Sequence, residues 1–202
     1  MKKSHIIILF VFLFTLTGCR PMLSLFFGIS KPKPKSAATI ERRIDRYDLH
    51  YFKHYSVTQT GFKHYFNTLL NLNIKTSVTR VLIFKDNKLL RPSEIAIAKD
   101  ACSSERSEFI KNLQDSTYYI SMDSVLLSDF VNSDNLQDFD VDKFEQENSK
   151  EFTVIIYWAT FAGVLNRNSS RELAKTARDC IENNGLSAHV FYVNLDKKKD
   201  WD

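Results

Sequence analysis

The sequence predicts an α/β fold, and three observations predict it. Phe152 to Trp158 (Phe-Thr-Val-Ile-Ile-Tyr-Trp) is an unbroken apolar run, the composition of a central strand covered on both faces. A helical pattern and a second apolar run, His189 to Leu195, follow it, and strand-helix-strand units close as right-handed parallel crossovers. Earlier in the chain, Arg80 to Lys85, the turn pair Asp86-Asn87, and Lys88 to Arg91 make a hairpin pattern that leads into a further helix. Together these place a hairpin and helix ahead of a strand-helix-strand crossover in one α/β domain.

Taken in order, Ile40, Ile44, Tyr47 and Tyr51 fall at helical spacing and predict a helix over 37–49. The aromatic stretch 51–57 reads as a strand. Phe62, Phe66, Leu69 and Leu70 make one face of a second helix over 59–72. After the hairpin, Ser103 or Ser104 caps a helix to about Asp115, with Phe109, Ile110 and Leu113 turned inward. Residues 118–121 read as a short strand, 124–131 as a short helix, and the acidic stretch 132–150 as loop with a short helix. Ser169 and Glu172 form a capping-box pattern for the last helix, which Gly185 ends in a left-handed turn.

Ahead of all these elements stand Met1, Lys2 and Lys3, an apolar run from Ile6 to Leu16, and Leu16-Thr17-Gly18-Cys19. A basic start followed by an apolar segment this short is the pattern of an export signal rather than a membrane span. The last four residues resemble a bacterial lipobox, which implies cleavage before Cys19 and acylation of its thiol. Residues 1–18 are then signal peptide, 19–35 a lipidated tether stiffened by Pro21, Pro32 and Pro34, and 36–202 a single domain. Arg20 stands where aspartate favours inner-membrane retention in enteric bacteria, so the expected place is the outer membrane, facing the periplasm. The tether lysines 31, 33 and 35 are suited to anionic headgroups. From Ser36 on, the chain carries 22 basic and 24 acidic residues, so the alkaline pI comes from the termini. No clustered basic face argues for nucleic acid.

The richest motif lies at the end of the central strand: Trp158-Ala159-Thr160-Phe161-Ala162-Gly163-Val164-Leu165. It resembles the thioredoxin active-site segment, Trp-Ala-x-Trp-Cys-Gly-Pro-Cys, and stands in the same strand-to-helix context. Trp158, Ala159 and Gly163 match directly, Phe161 replaces the second tryptophan, and Val164 the proline. Ala162 takes the attacking cysteine's place and Leu165 that of the resolving cysteine. The resemblance implies a thioredoxin-like domain whose helix N-terminus has no thiolate to stabilise, because alanine and leucine cannot exchange disulfides. Val81 to Asn87 is similar to the thioredoxin hairpin strand, and the resemblance implies three layers, α/β/α, around a central mixed sheet of about four to five strands, permuted so that the hairpin half comes before the crossover half. The proline that precedes that strand in thioredoxins is absent from Ser77-Val78-Thr79-Arg80. The whole chain also resembles small Bacteroidetes lipoproteins. The matches are Phe27-Gly28-Ile29 with the Lys-Pro tether, Asp100-Ala101-Cys102, Tyr157-Trp158, Leu165-Asn166 and Val193-Asn194-Leu195-Asp196. That resemblance implies a location and a fold, and no activity.

Two cysteines remain beside Cys19. In an oxidising compartment Cys102 and Cys180 pair as a disulfide or stay as two buried thiols, and the sequence leaves both open. Phe-Lys-His-Tyr occurs at 52–55 and at 62–65, giving His54 and His64 beside His50, without the acid pattern of a metal site. Asp138, Asp140 and Asp142 alternate like a calcium loop, but Lys143 and Ser149 stand where that loop needs glycine and glutamate. No phosphate loop or serine nucleophile elbow occurs, and no metal or cofactor is expected. Three functions are compatible with these residues. The first is a binding or accessory module for an envelope protein or peptide, with no catalytic residue. The second is a thiol-disulfide oxidoreductase that uses Cys102 and Cys180. The third is an immunity or accessory lipoprotein for an exported peptide or toxin.

Overall fold

A computed structural model of the chain describes residues 33–72, 80–93, 105–147, 149–199 and 201. The expected signal peptide, Cys19, Cys102 and nearly all of the tether lie outside the described residues.

Helix α1 (Ala37–Tyr47) buries Ile40, Ile44 and Tyr47 at the predicted spacing and ends at Asp48 in a left-handed conformation. Strand β1 (Lys53–Ser56) follows, and then α2 (Gln59–Asn71), whose cap Thr58 accepts a 2.9 Å hydrogen bond from the Gly61 N–H. Strands β2 (Arg80–Lys85) and β3 (Lys88–Pro92) form the predicted hairpin. Asp86 and Asn87 both have positive φ, 49° and 65°, as a tight turn with the right-handed twist of the strands requires. Helix α3 (Glu105–Lys111), strand β4 (Tyr119–Leu126), α4 (Val141–Glu147), β5 (Phe152–Trp158), α5 (Gly163–Asn184) and β6 (Ala188–Asn194) complete the element order. The C-terminus of α5 is closed by Gly185 at φ 67°, with the Leu186 N–H reaching the Cys180 carbonyl at 3.0 Å.

The sheet is mixed and has six strands in the order β1-β6-β5-β2-β3-β4. β1, β6 and β5 are parallel, while β2, β3 and β4 run antiparallel in succession. The count exceeds the expected four to five because β1 closes one edge and β4 the other. Both faces are covered. Ile40, Ile44, Ile110, Leu113, Leu173 and Ala177 pack from α1, α3 with its following turn, and α5 against one face. Tyr65, Leu69 and Phe144, from α2 and α4, join the core on the other. Every residue of β5 is buried, which explains its unbroken apolar sequence.

Two predicted elements are corrected. The stretch 124–131 is not a helix: β4 runs through Leu126, and a single turn, Leu127–Asp129, follows. Pairing with β3 holds the strand extended across a bulge at Lys88/Leu89, so tertiary pairing overrides a local pattern that suits either state. The last helix does not start at the Ser169–Glu172 box but at Gly163, six residues earlier. Asn166, Asn168, Ser169 and Ser170 are weak helix formers, and that composition hides the continuity. Packing extends the helix regardless, with Asn166 and Ser170 buried against the sheet.

Candidate functional site

In open α/β sheets the carboxyl ends of the parallel strands are where ligands meet the fold. Here that edge carries the ends of β1, β6 and β5, and the Trp158 to Leu165 segment lies on it. Trp158 is the last residue of β5 and is fully buried. The ring of Tyr47 meets its indole edge-on at 5.9 Å. Thr160–Ala162 form one tight turn, and Gly163 then enters α5 at φ 68°, ψ −151°, a conformation open essentially to glycine alone. Phe161 and Ala162 are half-buried, Gly163 is buried and Val164 is exposed. Leu165 lies in the first turn of α5.

This junction is held by polar residues to which the sequence reading gave no role. Asp196 is 1% exposed. Its carboxylate accepts from the Thr160 N–H (2.8 Å), the Thr160 hydroxyl (2.8 Å) and the Asn194 amide (2.9 Å). Asn194 in turn accepts from the Asp196 N–H at 3.1 Å. Asn166 reaches back from α5, and its Oδ1 accepts from the Ala159 N–H at 2.8 Å. The Leu195 N–H donates to the Trp158 carbonyl at 2.8 Å. A buried carboxylate with three donors is a satisfied charge. It ties the turn that leads into α5 to the segment leaving β6. The signal for it in the sequence is polar Asn194 and Asp196 set directly against an apolar strand.

Beside this locked corner lies an open groove of about 320 Å³. All four residues of β1 line it, with Ile40 and Ile44 from α1 on one flank and Gln137 and Asp138 on the other. His54 stands in its wall. Nε2 lies 2.5 Å from the Leu49 carbonyl, which can only accept, so Nε2 carries the proton in the neutral ring. The ring stacks on Tyr192 at 4.6 Å and 15°. Burial holds His54 below its ordinary range, outweighing the Leu49 carbonyl, which pulls the other way.

The other candidate residues are scattered. His50 lies 3.1 Å from Asp45, and His64 lies 3.3 Å from the Thr68 hydroxyl, so the three histidines do not converge. Among the described residues no group of three or more metal-ligating side chains is assembled. Asp140 caps α4 by accepting from the Lys143 N–H at 3.0 Å. Cys180 is a buried thiol deep in α5, and burial pushes its pKa up, away from the thiolate form. Of the two alternatives left open, a Cys102–Cys180 disulfide or two buried thiols, neither is decided, because Cys102 lies outside the described residues. No described helix is long and apolar enough to cross a membrane.

Comparisons with protein-family models, with curated proteins and with solved structures return no match for this chain.

Proposed function

We propose that this chain is an envelope lipoprotein, anchored through Cys19 to the outer membrane and facing the periplasm. Its thioredoxin-like domain binds a protein or peptide and carries out no disulfide exchange. The reading of the fold is supported by the sheet order. The crossover half β5-α5-β6 lies beside the hairpin half β2-β3 in one sheet, with β5 against β2, as a permuted thioredoxin-like sheet requires. α3 follows the hairpin and packs with α5 on one face.

The observation that carries the functional reading is the β5–α5 junction. It stands at the strand-to-helix corner where a redox relative bears its dithiol, and this chain has Ala162 and Leu165 at the matching positions. The turn is held by the Asp196 side chain, which accepts three hydrogen bonds, and no thiol stands there to attack a disulfide. Cys180 is a poor substitute nucleophile, because it is buried nearly five turns into α5, far from the positive N-terminal end of the helix dipole.

The test is insulin reduction by dithiothreitol in the presence of the full-length protein in detergent micelles. The rate should equal that of dithiothreitol alone. An acceleration that disappears in the Cys102→Ala, Cys180→Ala double variant overturns the binding-module reading in favour of an oxidoreductase. The anchor is tested separately by growing cells on labelled palmitate: the label should be present on the wild type and lost from Cys19→Ala. A photo-crosslinking residue at exposed Val164 should capture an envelope protein in cells, while one at Lys143 should not.

A further inference from the structure

The sequence puts its excess of positive charge at two remote places, and the structure brings them together. Lysines 31, 33 and 35 precede the domain and Lys197, Lys198 and Lys199 follow β6, whereas residues 36–196 carry 19 basic and 22 acidic side chains. Lys35 and Lys198 form a parallel backbone bridge. The Lys35 N–H donates to the Lys197 carbonyl at 2.8 Å, and the Lys199 N–H donates to the Lys35 carbonyl at 3.3 Å. Five lysines, 33, 35, 197, 198 and 199, therefore sit on two adjacent backbone segments at one pole of the domain. Lys33 and Lys199 are exposed, and the other three are half-buried. Asp200 and Asp202 follow in the sequence, and the five lysines outnumber them. Trp201 lies at the same pole, its backbone bonded to the Lys198 carbonyl and its ring 5.8 Å from that of Phe62.

We infer that this pole is a docking surface for an anionic lipid bilayer, so that the domain rests on the membrane that anchors it rather than swinging free. The inference rests on the lipid anchor proposed above. Thirteen residues, 20–32, separate Cys19 from Lys33, a reach of at most about 50 Å when fully extended. The tether enters the domain at the lysine pole itself, so these cations have a high effective concentration at the bilayer surface. The remainder of the domain is acidic on balance, and an anionic surface repels it. Charge complementarity thus selects one orientation, with the β1 groove, whose wall includes Lys198, beside the contact. Half-buried Trp201 is a residue type enriched at the level of the headgroups.

The experiment is lysine acetylation of the full-length acylated protein, reconstituted in phosphatidylcholine vesicles with or without 30 mol% phosphatidylglycerol and read peptide by peptide by mass spectrometry. Lys33, Lys35, Lys197 and Lys199 should react about five-fold more slowly on the anionic vesicles than on the neutral ones, and the difference should vanish in 1 M salt. Exposed Lys63, Lys143, Lys150 and Lys175 serve as internal controls and should react alike on both. In the Lys33→Glu, Lys197→Glu, Lys199→Glu variant, Lys35 should lose its lipid dependence, with the control lysines reporting that the domain is intact. Equal rates on the two vesicles, or equal protection of the control lysines, overturns the docking surface. The mass of the Cys19 peptide reports the anchor separately. If it carries no acyl chains, the anchor fails, and the same lysine footprint on added vesicles still decides the pole.

Discussion

Asp196 and Lys197 are consecutive residues, yet they belong to regions built on opposite principles. Around Asp196, the turn Thr160–Ala162, Asn166 and Asn194 are locked by buried hydrogen bonds, with the carboxylate 1% exposed. From Lys197 onward the chain is held to Lys35 by backbone pairing; Lys199 is exposed, Lys197 and Lys198 are half-buried, and the Lys198 ammonium donates to the Gln137 side chain. The groove along β1 adjoins both regions through Asn194 and Lys198. The strand-to-helix corner is committed to holding β5, α5 and β6 together. The open groove lies next to it, where buried hydrogen bonds give way to a crevice and to exposed and half-buried lysines.

The sharpest way to break this contrast is Asp196→Ala, which leaves the Thr160 N–H, the Thr160 hydroxyl and the Asn194 amide without their acceptor. The loss should be about 3–5 kcal/mol in chemical denaturation, with Asp196→Asn losing less because it keeps the shape and one acceptor oxygen. Next is Gly163→Ala, which forces a Cβ into a conformation that only glycine adopts freely. Denaturation should register a loss of about 1–3 kcal/mol, without change at the lysine pole.

His54 tests the groove wall through pH. Its folded-state pKa is lowered by burial, so below the ordinary histidine value near 6.5 the unfolded chain takes up a proton that the folded domain resists. Stability should therefore be full above that pH and fall as pH drops through it. A plot of melting temperature against pH from 8 to 5 should lose that slope in His54→Phe, relative to wild type. The smallest effect belongs to the pole: Lys197→Glu with Lys199→Glu should alter denaturation by less than about 0.5 kcal/mol, because surface charges held by backbone pairing contribute little to folding.

Much of the scaffold was legible from local pattern. Ile40, Ile44 and Tyr47 give the α1 stripe, Asp86-Asn87 the hairpin turn, Phe152–Trp158 the central strand and Gly185 the end of α5. The start of α5 was not, because weak helix formers from Asn166 to Ser170 masked a helix that packing extends. The length of β4 was not, because pairing with β3 fixes it. The candidate site was legible as a segment, Trp158 to Leu165, but its lock was not: Thr160 and Asp196 are 36 residues apart in the chain, and no spacing rule links them.

Sequence by itself determined the α/β layering, since burial period follows from local side-chain order, and it determined that Ala162 and Leu165 stand at the strand-to-helix corner, since composition is read directly. Tertiary structure alone decided that the two lysine runs form one pole and that Asp196 holds the corner. Both depend on backbone segments far apart in the chain meeting at the end of the sheet, a proximity that arises when β1, β6 and β5 pair and that neither run encodes alone.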